Sequence, residues 1–132
     1  DNVRPLNYLE YNWNGIVSAF DGVSRFNLSA GLYRVQGYSG VHGGVAGHRA
    51  RLWNLGDGNT PVIGSSGWHP GGEMASSSFL LGSFLTGDVK TFELRHYTQS
   101  GISNTGFGRA VNIPGVSEYY AGIEVFKFAQ PA

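Results

Sequence analysis

The chain has 132 residues, nine basic and nine acidic, a formal net charge of zero and no cysteine. That length suits one domain with a real core and leaves no comfortable room for a second. The lack of a basic excess argues against a nucleic-acid binder. The lack of cysteine excludes a disulfide, a thiolate zinc site and a cysteine nucleophile.

Charged residues make up only 14%, so Ser, Thr, Asn, Gly and aromatic groups must cover much of the surface. Such surfaces suit lateral packing and glycan contact, and they also occur in ordinary β proteins. Small secreted animal domains are often disulfide-rich. A cysteine-free chain fits cytoplasmic assembly better, a virus particle being one example. No apolar run reaches the 18 residues of a membrane-spanning helix. The chain begins at Asp1 rather than Met, as expected of a processed, trimmed or fragmentary polypeptide, and no signal peptide is read. The 21 glycines show no Gly-X-Y period, which excludes collagen.

In chain order, residues 1–14 are irregular and aromatic, with Tyr8, Tyr11 and Trp13. They read either as an arm packing on a neighbour or as a segment folded over its own domain; the domain proper is 15–132. Strands are expected at 15–20, 24–29, 31–41 and 46–55. In 31–41, Tyr33 and Val35 share a face. In 46–55, His48, Ala50 and Leu52 point one way and Arg49, Arg51 and Trp53 the other. Gly56-Asp57-Gly58-Asn59 is a turn, and 60–65 a short strand that starts near Pro61. Residues 66–72 read as a loop carrying Trp68, His69 and Pro70. Strands at 73–85 and 88–98 pair across Thr86-Gly87, and strands at 106–113 and 117–128 pair across Pro114-Gly115. Helical periodicity is nearly absent. Eight to ten strands at regular spacing predict an all-β, antiparallel sandwich or jelly roll.

No catalytic motif emerges. There is no Gly-x-Ser-x-Gly elbow, no phosphate-cradling loop and no complete dinucleotide fingerprint. The chain is therefore expected not to be an enzyme and to need no cofactor. His42, His48, His69 and His96 have no metal-ligand spacing, and no metal site is expected. Asp57 with Asn54 and Asn59 offers one carboxylate, a poor calcium site. Asn27-Leu28-Ser29 matches the glycosylation triplet but sits inside a predicted strand. Aromatic rings stack on sugars and anchor interfaces at low entropy cost. Trp68, His69 and Tyr38 are thus the candidate ligand-binding residues, with Tyr8, Tyr11 and Trp13 as arm contacts. In each case the competing reading is a ring covering an open end of the sandwich.

The motifs Phe26-x-Leu-x-Ala-Gly-Leu-Tyr-x-Val35, Arg51-Leu-Trp-Asn54, Gly82-x-Phe-x-x-x-Gly-Asp88, Phe92-Glu-Leu-Arg-His96, Gly106-Phe-Gly108 and Glu118-Tyr-Tyr-Ala-Gly-Ile-Glu-Val-Phe-Lys127 occur in that order. Together they resemble the jelly roll shared by tumour necrosis factor and the globular head of complement component one q. The small variant in bacteriophage virion proteins, at fibre tips and on capsids, is the nearest in kind. The resemblance implies a compact homotrimer whose last strand faces the three-fold axis. Tyr120, Gly122, Glu124 and Phe126 would then be axial, and Tyr119, Ala121, Ile123 and Val125 would enter the core. Arg95 or His96, expected on the neighbouring strand, would neutralise Glu124. The function implied is a non-enzymatic module on the virion surface that binds a host-surface receptor or glycan. The alternative is a capsid decoration or cement protein gripping capsid or fibre proteins through residues 1–14. Neither nucleic-acid binding nor membrane insertion is expected.

Overall fold

The computed structural model describes residues 2–6, 9–10, 12–69, 71, 75–101, 106–108, 112–115 and 118–129, the side chain of Trp13 excepted. The described strands are β1 (Asn2–Val3), β2 (Val17–Phe20), β3 (Arg25–Leu28), β4 (Gly31–His42), β5 (Ala46–Asn54), β6 (Asn59–His69), β7 (Ala75–Thr86), β8 (Lys90–Thr98) and β9 (Ala121–Ala129). They form two antiparallel sheets. One runs β2-β3-β8-β5-β6, with β1 also paired to β8; the other runs β7-β4-β9.

The period-two pattern produces these strands because successive side chains leave a strand on opposite sides. In β4, Tyr33, Val35, Ser39 and Val41 are buried while Leu32 and Arg34 are exposed. In β5, His48, Ala50, Leu52 and Asn54 are buried. The core between the sheets is Phe26, Leu28, Tyr33, Val35, Ala50, Leu52, Val62, Leu80, Phe92 and Leu94, with Phe84, Ile123 and Val125 packed against it. Phe92 lies between Phe26 and Phe84, with ring centroids 5.9 and 5.4 Å away. β4 and β9 approach closely at Gly37, where a Cβ would collide with the Gly122 carbonyl oxygen.

The sheets are also joined where β6 meets β7. Ser78 Oγ donates to the Ser65 carbonyl at 2.6 Å and accepts from the Ala50 amide at 2.9 Å. Backbone groups at this seam, with no ladder partner, are satisfied by a side chain instead.

Two expected elements differ. The strand expected at 60–65 continues to His69, so Trp68 is on a strand rather than in a loop. Its Gly- and Ser-rich stretch reads as a loop by composition, yet β5 supplies the ladder, with His48 opposite Gly67 and Gly47 opposite Trp68. Residues 106–108 and 112–115 are not strand. Gly108 has φ 146° and Asn112 φ 61°, which interrupts an extended path. Residues 109–111 lie outside the described set.

Candidate interaction surfaces

The outward side of β7-β4-β9 is built by register. Leu85 of β7 is opposite Leu32 of β4, Leu81 opposite Gln36, and Phe79 opposite Tyr38. Across the other edge of β4, Phe126 is opposite Arg34 and Glu124 opposite Gln36. Phe79, Leu81 and Leu85 are 63%, 66% and 69% exposed, and Phe126 and Phe128 continue the row on β9. A few isolated exposed apolar residues are ordinary, but a contiguous apolar face usually marks a contact. Gln36 Nε2 donates to Glu124 Oε2 at 3.3 Å, and Arg34 and Glu124 are the two charges within the face.

The opposite outward side, on the six-stranded sheet, is basic. β5 presents Arg49, Arg51 and Trp53, β8 presents Glu93 and Arg95, and β3 presents Arg25. Glu93 is 1% exposed because two guanidinium groups cover it. Arg95 reaches its Oε1 at 2.7 Å and Arg25 its Oε2 at 3.3 Å. The sequence pattern had placed Arg49, Arg51 and Trp53 together. It gave no signal that Arg25 and Arg95 join them, since that depends on strand order.

Between the faces, one end of the interior is polar. Ser39 Oγ is 2.7 Å from His96 Nδ1, His96 Nε2 is 3.0 Å from His48 Nδ1, and His48 Nε2 is 3.1 Å from Ser76 Oγ. The chain links β4, β8, β5 and β7, and so ties the two sheets together. Neutral imidazoles, each with one donor and one acceptor, satisfy it throughout. Burial first, then His48 and Arg4, push the His96 imidazole down to about 3. Burial first, then His69, lowers His48 below its ordinary value. A serine–histidine–histidine order has the connectivity of a nucleophile, a base and an orienting group. Here a Cβ at Gly67 would lie 2.5 Å from His48 Nε2, so β6 roofs the histidine and leaves no space for a reacting atom. Among the described residues, no three histidine or acidic side chains are grouped to hold a metal ion.

Arg4 closes this end. It is 2% exposed, its Nη2 donates to the carbonyls of Phe107 and Tyr120 at 3.0 and 3.1 Å, and its guanidinium lies 4.2 Å from the centre of the Phe107 ring. Its Nε and Nη1 make no hydrogen bond, and burial pushes its pKa down to about 10. Residues 2–4 of the expected arm are thus tied into the sandwich. Tyr8, Tyr11 and the Trp13 side chain lie outside the described residues.

The remaining expected site residues separate. Trp68 is 64% exposed and His69 only 3%, because consecutive strand residues face opposite ways; they cannot form one contact. Tyr38 is on the other sheet, beside Gly122. Arg95 and His96 do not neighbour Glu124. β9 pairs with β4, whereas β8 is in the opposite sheet, where Arg95 binds Glu93 and His96 is buried. Tyr120 precedes β9 and its ring packs on Gly108. Tyr119 is 59% exposed rather than in the core, since the alternation starts only at Ala121. Asp57 is held by Lys90 Nζ at 2.8 Å and by Asn54 Nδ2 at 3.0 Å, so an ammonium already stands where a cation was considered.

No family model, curated protein or solved structure matches the chain.

Proposed function

We propose that this chain is a non-enzymatic, jelly-roll module that assembles as a homotrimer on a bacteriophage particle and works by adhesive surface contact, as at a fibre tip. The observation that carries the assembly part is the exposed apolar face of β7-β4-β9. Covering it recovers roughly 25 cal/mol per Å² of apolar surface. Further copies are fitting occupants because the face carries one cation, Arg34, and one anion, Glu124, which neighbouring copies can pair across each head-to-tail contact of a closed ring.

The jelly-roll part is supported by the strand path. The chain changes sheet between β3 and β4, β4 and β5, β6 and β7, β7 and β8, and β8 and β9, and such repeated crossing between two sheets is a feature jelly rolls share. The virion setting rests on the motif resemblance alone. Decoration of a capsid through a free arm is the weaker reading, because Asn2 and Val3 pair with β8 and Arg4 is buried.

Light scattering during size-exclusion chromatography tests the assembly. Three chain masses at micromolar concentration are expected; a single chain mass at that concentration overturns the trimer.

A further inference from the structure

We propose that the outward corner of the six-stranded sheet where β6, β5 and β8 run side by side binds a neutral glycan chain, with Trp68 and Tyr97 stacking on separate sugar rings and Arg49 and Gln99 donating to hydroxyls between them. The proposal names a ligand class for the adhesive reading above and rests on that reading; the trimer enters only through multivalency.

Strand register assembles this corner. Trp68 of β6 is opposite Gly47 of β5, and Ser66 is opposite Arg49. Across the other edge of β5, Arg49 is opposite Tyr97 of β8. Gln99 follows just past the end of β8, its backbone amide donating to the Gly47 carbonyl at 2.9 Å. The alternate residues His48 and His96 are buried, so Arg49 and Tyr97 face outward. Trp68 and Tyr97 are 64% and 52% exposed. Strands lie about 4.8 Å apart and same-face residues about 7 Å apart along a strand, which puts these two Cα atoms roughly 12 Å apart. One sugar ring cannot reach both side chains face on, whereas an oligosaccharide lying across the strands can.

The floor between the two aromatic residues is low and polar. Gly47 is not among the glycines of positive φ, so the backbone does not demand glycine there. A glycine inside a strand weakens it and often marks a place where a ligand or another chain comes close. The Gln99 side chain lies over this one. A Cβ at Gly47 would stand 2.7 Å from Gln99 Oε1, and the Gly47 amide donates to that oxygen at 2.9 Å. With Oε1 so engaged, Gln99 Nε2 is the donor left for a ligand. Arg49 is fixed in the same manner. Its Nε donates to the Gly64 carbonyl at 2.7 Å, which anchors the guanidinium and leaves its terminal N–H groups to donate elsewhere. Donors held in advance cost less entropy to engage.

Aromatic rings set among fixed donors match a pyranose, which presents C–H groups on its ring faces and hydroxyls around its rim. Polar residues separate Trp68 from Tyr97, unlike the apolar row on β7-β4-β9, so this corner lacks the apolar centre of a protein interface. Single-stranded nucleic acid also stacks on aromatic rings. A chain of zero formal net charge would hold its phosphate backbone weakly at physiological salt. Because this face is opposite to β7-β4-β9, a trimer closed through the latter would display three copies of the corner.

The test is isothermal titration with cellohexaose, maltohexaose and mannohexaose, with glucose, mannose and a thymidine hexanucleotide as comparators. At least one hexaose is expected to bind, and the monosaccharides far more weakly. Affinity should change less than about twofold between roughly 0.05 and 0.5 M salt, since no ion pair carries it. Trp68→Ala and Tyr97→Ala should each weaken binding about tenfold. Trp68→Phe and Tyr97→Phe, which keep a ring, should weaken it less. Bound hexaose should also shift the tryptophan fluorescence, and Trp68→Phe should remove that shift. No binding to any hexaose, unchanged affinity in both alanine proteins, a steep loss with salt, or tighter binding of the hexanucleotide overturns the proposal. If an alanine substitution lowers the melting temperature, the Trp68→Phe protein decides, and a fluorescence shift that persists in it overturns the site. Solution mass measured on the same samples separates the two readings. Ring-dependent binding by a monomer removes the trimer and keeps the site, whereas a trimer that binds no hexaose removes the site alone.

Discussion

On the outward side of β7-β4-β9, the positions alternating with the core include Phe79, Leu81, Leu85, Leu32, Phe126 and Phe128, with Arg34, Gln36, Ser83 and Glu124 among them. On the outward side of the six-stranded sheet, the equivalent positions hold Arg25, Arg49, Arg51, Trp53, Glu93 and Arg95. Both sheets bury the same kind of apolar row inward, so the demands of the core do not separate them. The outward rows are free of that demand and differ in their balance of charge and apolar area. One leaves apolar area in water, and the other keeps like charges opposed across neighbouring strands. Each carries a cost in the isolated chain that a partner covering that face would relieve.

The largest effect should come from charging the apolar face. Leu81→Arg combined with Leu85→Arg should reduce the scattering mass from three chains to one. The melting temperature of the separated chain should barely move, because both side chains are exposed before substitution. Retention of the trimer would place the contact elsewhere.

On the basic face, Glu93→Ala should lower unfolding stability by about 2 kcal/mol in urea titration, since it removes a buried acceptor of charge-assisted hydrogen bonds from the partly exposed Arg25 and Arg95. Glu93→Gln should lose less, because the amide oxygen still accepts from Arg95. Equal losses would mean that packing rather than charge holds the site.

The layer between the faces predicts an acid response that weakens both. His96 and His48 have folded values below their ordinary ones. The unfolded chain therefore takes up protons first. Their contribution is full above about pH 6.5 and is lost as pH falls from there toward the folded values. For His96 the slope is at most about 1.4 kcal/mol per pH unit. Between pH 6.5 and 5, above the ordinary carboxylate range, stability should fall measurably, and His96→Gln should flatten that fall. A flat wild-type profile in this window would show that the imidazoles are not buried neutral.

The smallest effect is expected at Trp53. Trp53→Leu keeps an apolar residue but removes two guanidinium stacks worth about 0.5–1 kcal/mol each. Unfolding stability should drop by about 1–2 kcal/mol in urea titration. Unchanged stability would reduce Trp53 to a filler of the sheet surface.

Much of the fold could be read from local pattern. Tyr33 and Val35 sharing a face, and Arg49, Arg51 and Trp53 opposing His48, Ala50 and Leu52, follow from the two-residue period. The turn at Gly56-Asp57-Gly58 follows from residues that tolerate positive φ; Gly58 has φ 65°. Two of the errors fell where the deciding partner is on another strand, and one where a strand was read as a loop. Residues 66–69 look like a loop until β5 pairs with them. Arg95 and His96 look available to Glu124 until β8 and β9 are assigned to different sheets. Trp68 and His69 look like a pair until the pleat turns them apart.

The sequence by itself determined that the chain is β-rich, where most strands lie and which side chains share a strand face, because alternation and turn chemistry act over a few residues. Only the tertiary structure decided which strands are neighbours. Strand order joined Arg25 and Arg95 to the β5 arginines, lined up Ser39, His96, His48 and Ser76 across two sheets, and set Leu32 opposite Leu85. Each of these contacts spans tens of residues, and ladder hydrogen bonds and core packing, rather than local preference, choose among the possible pairings.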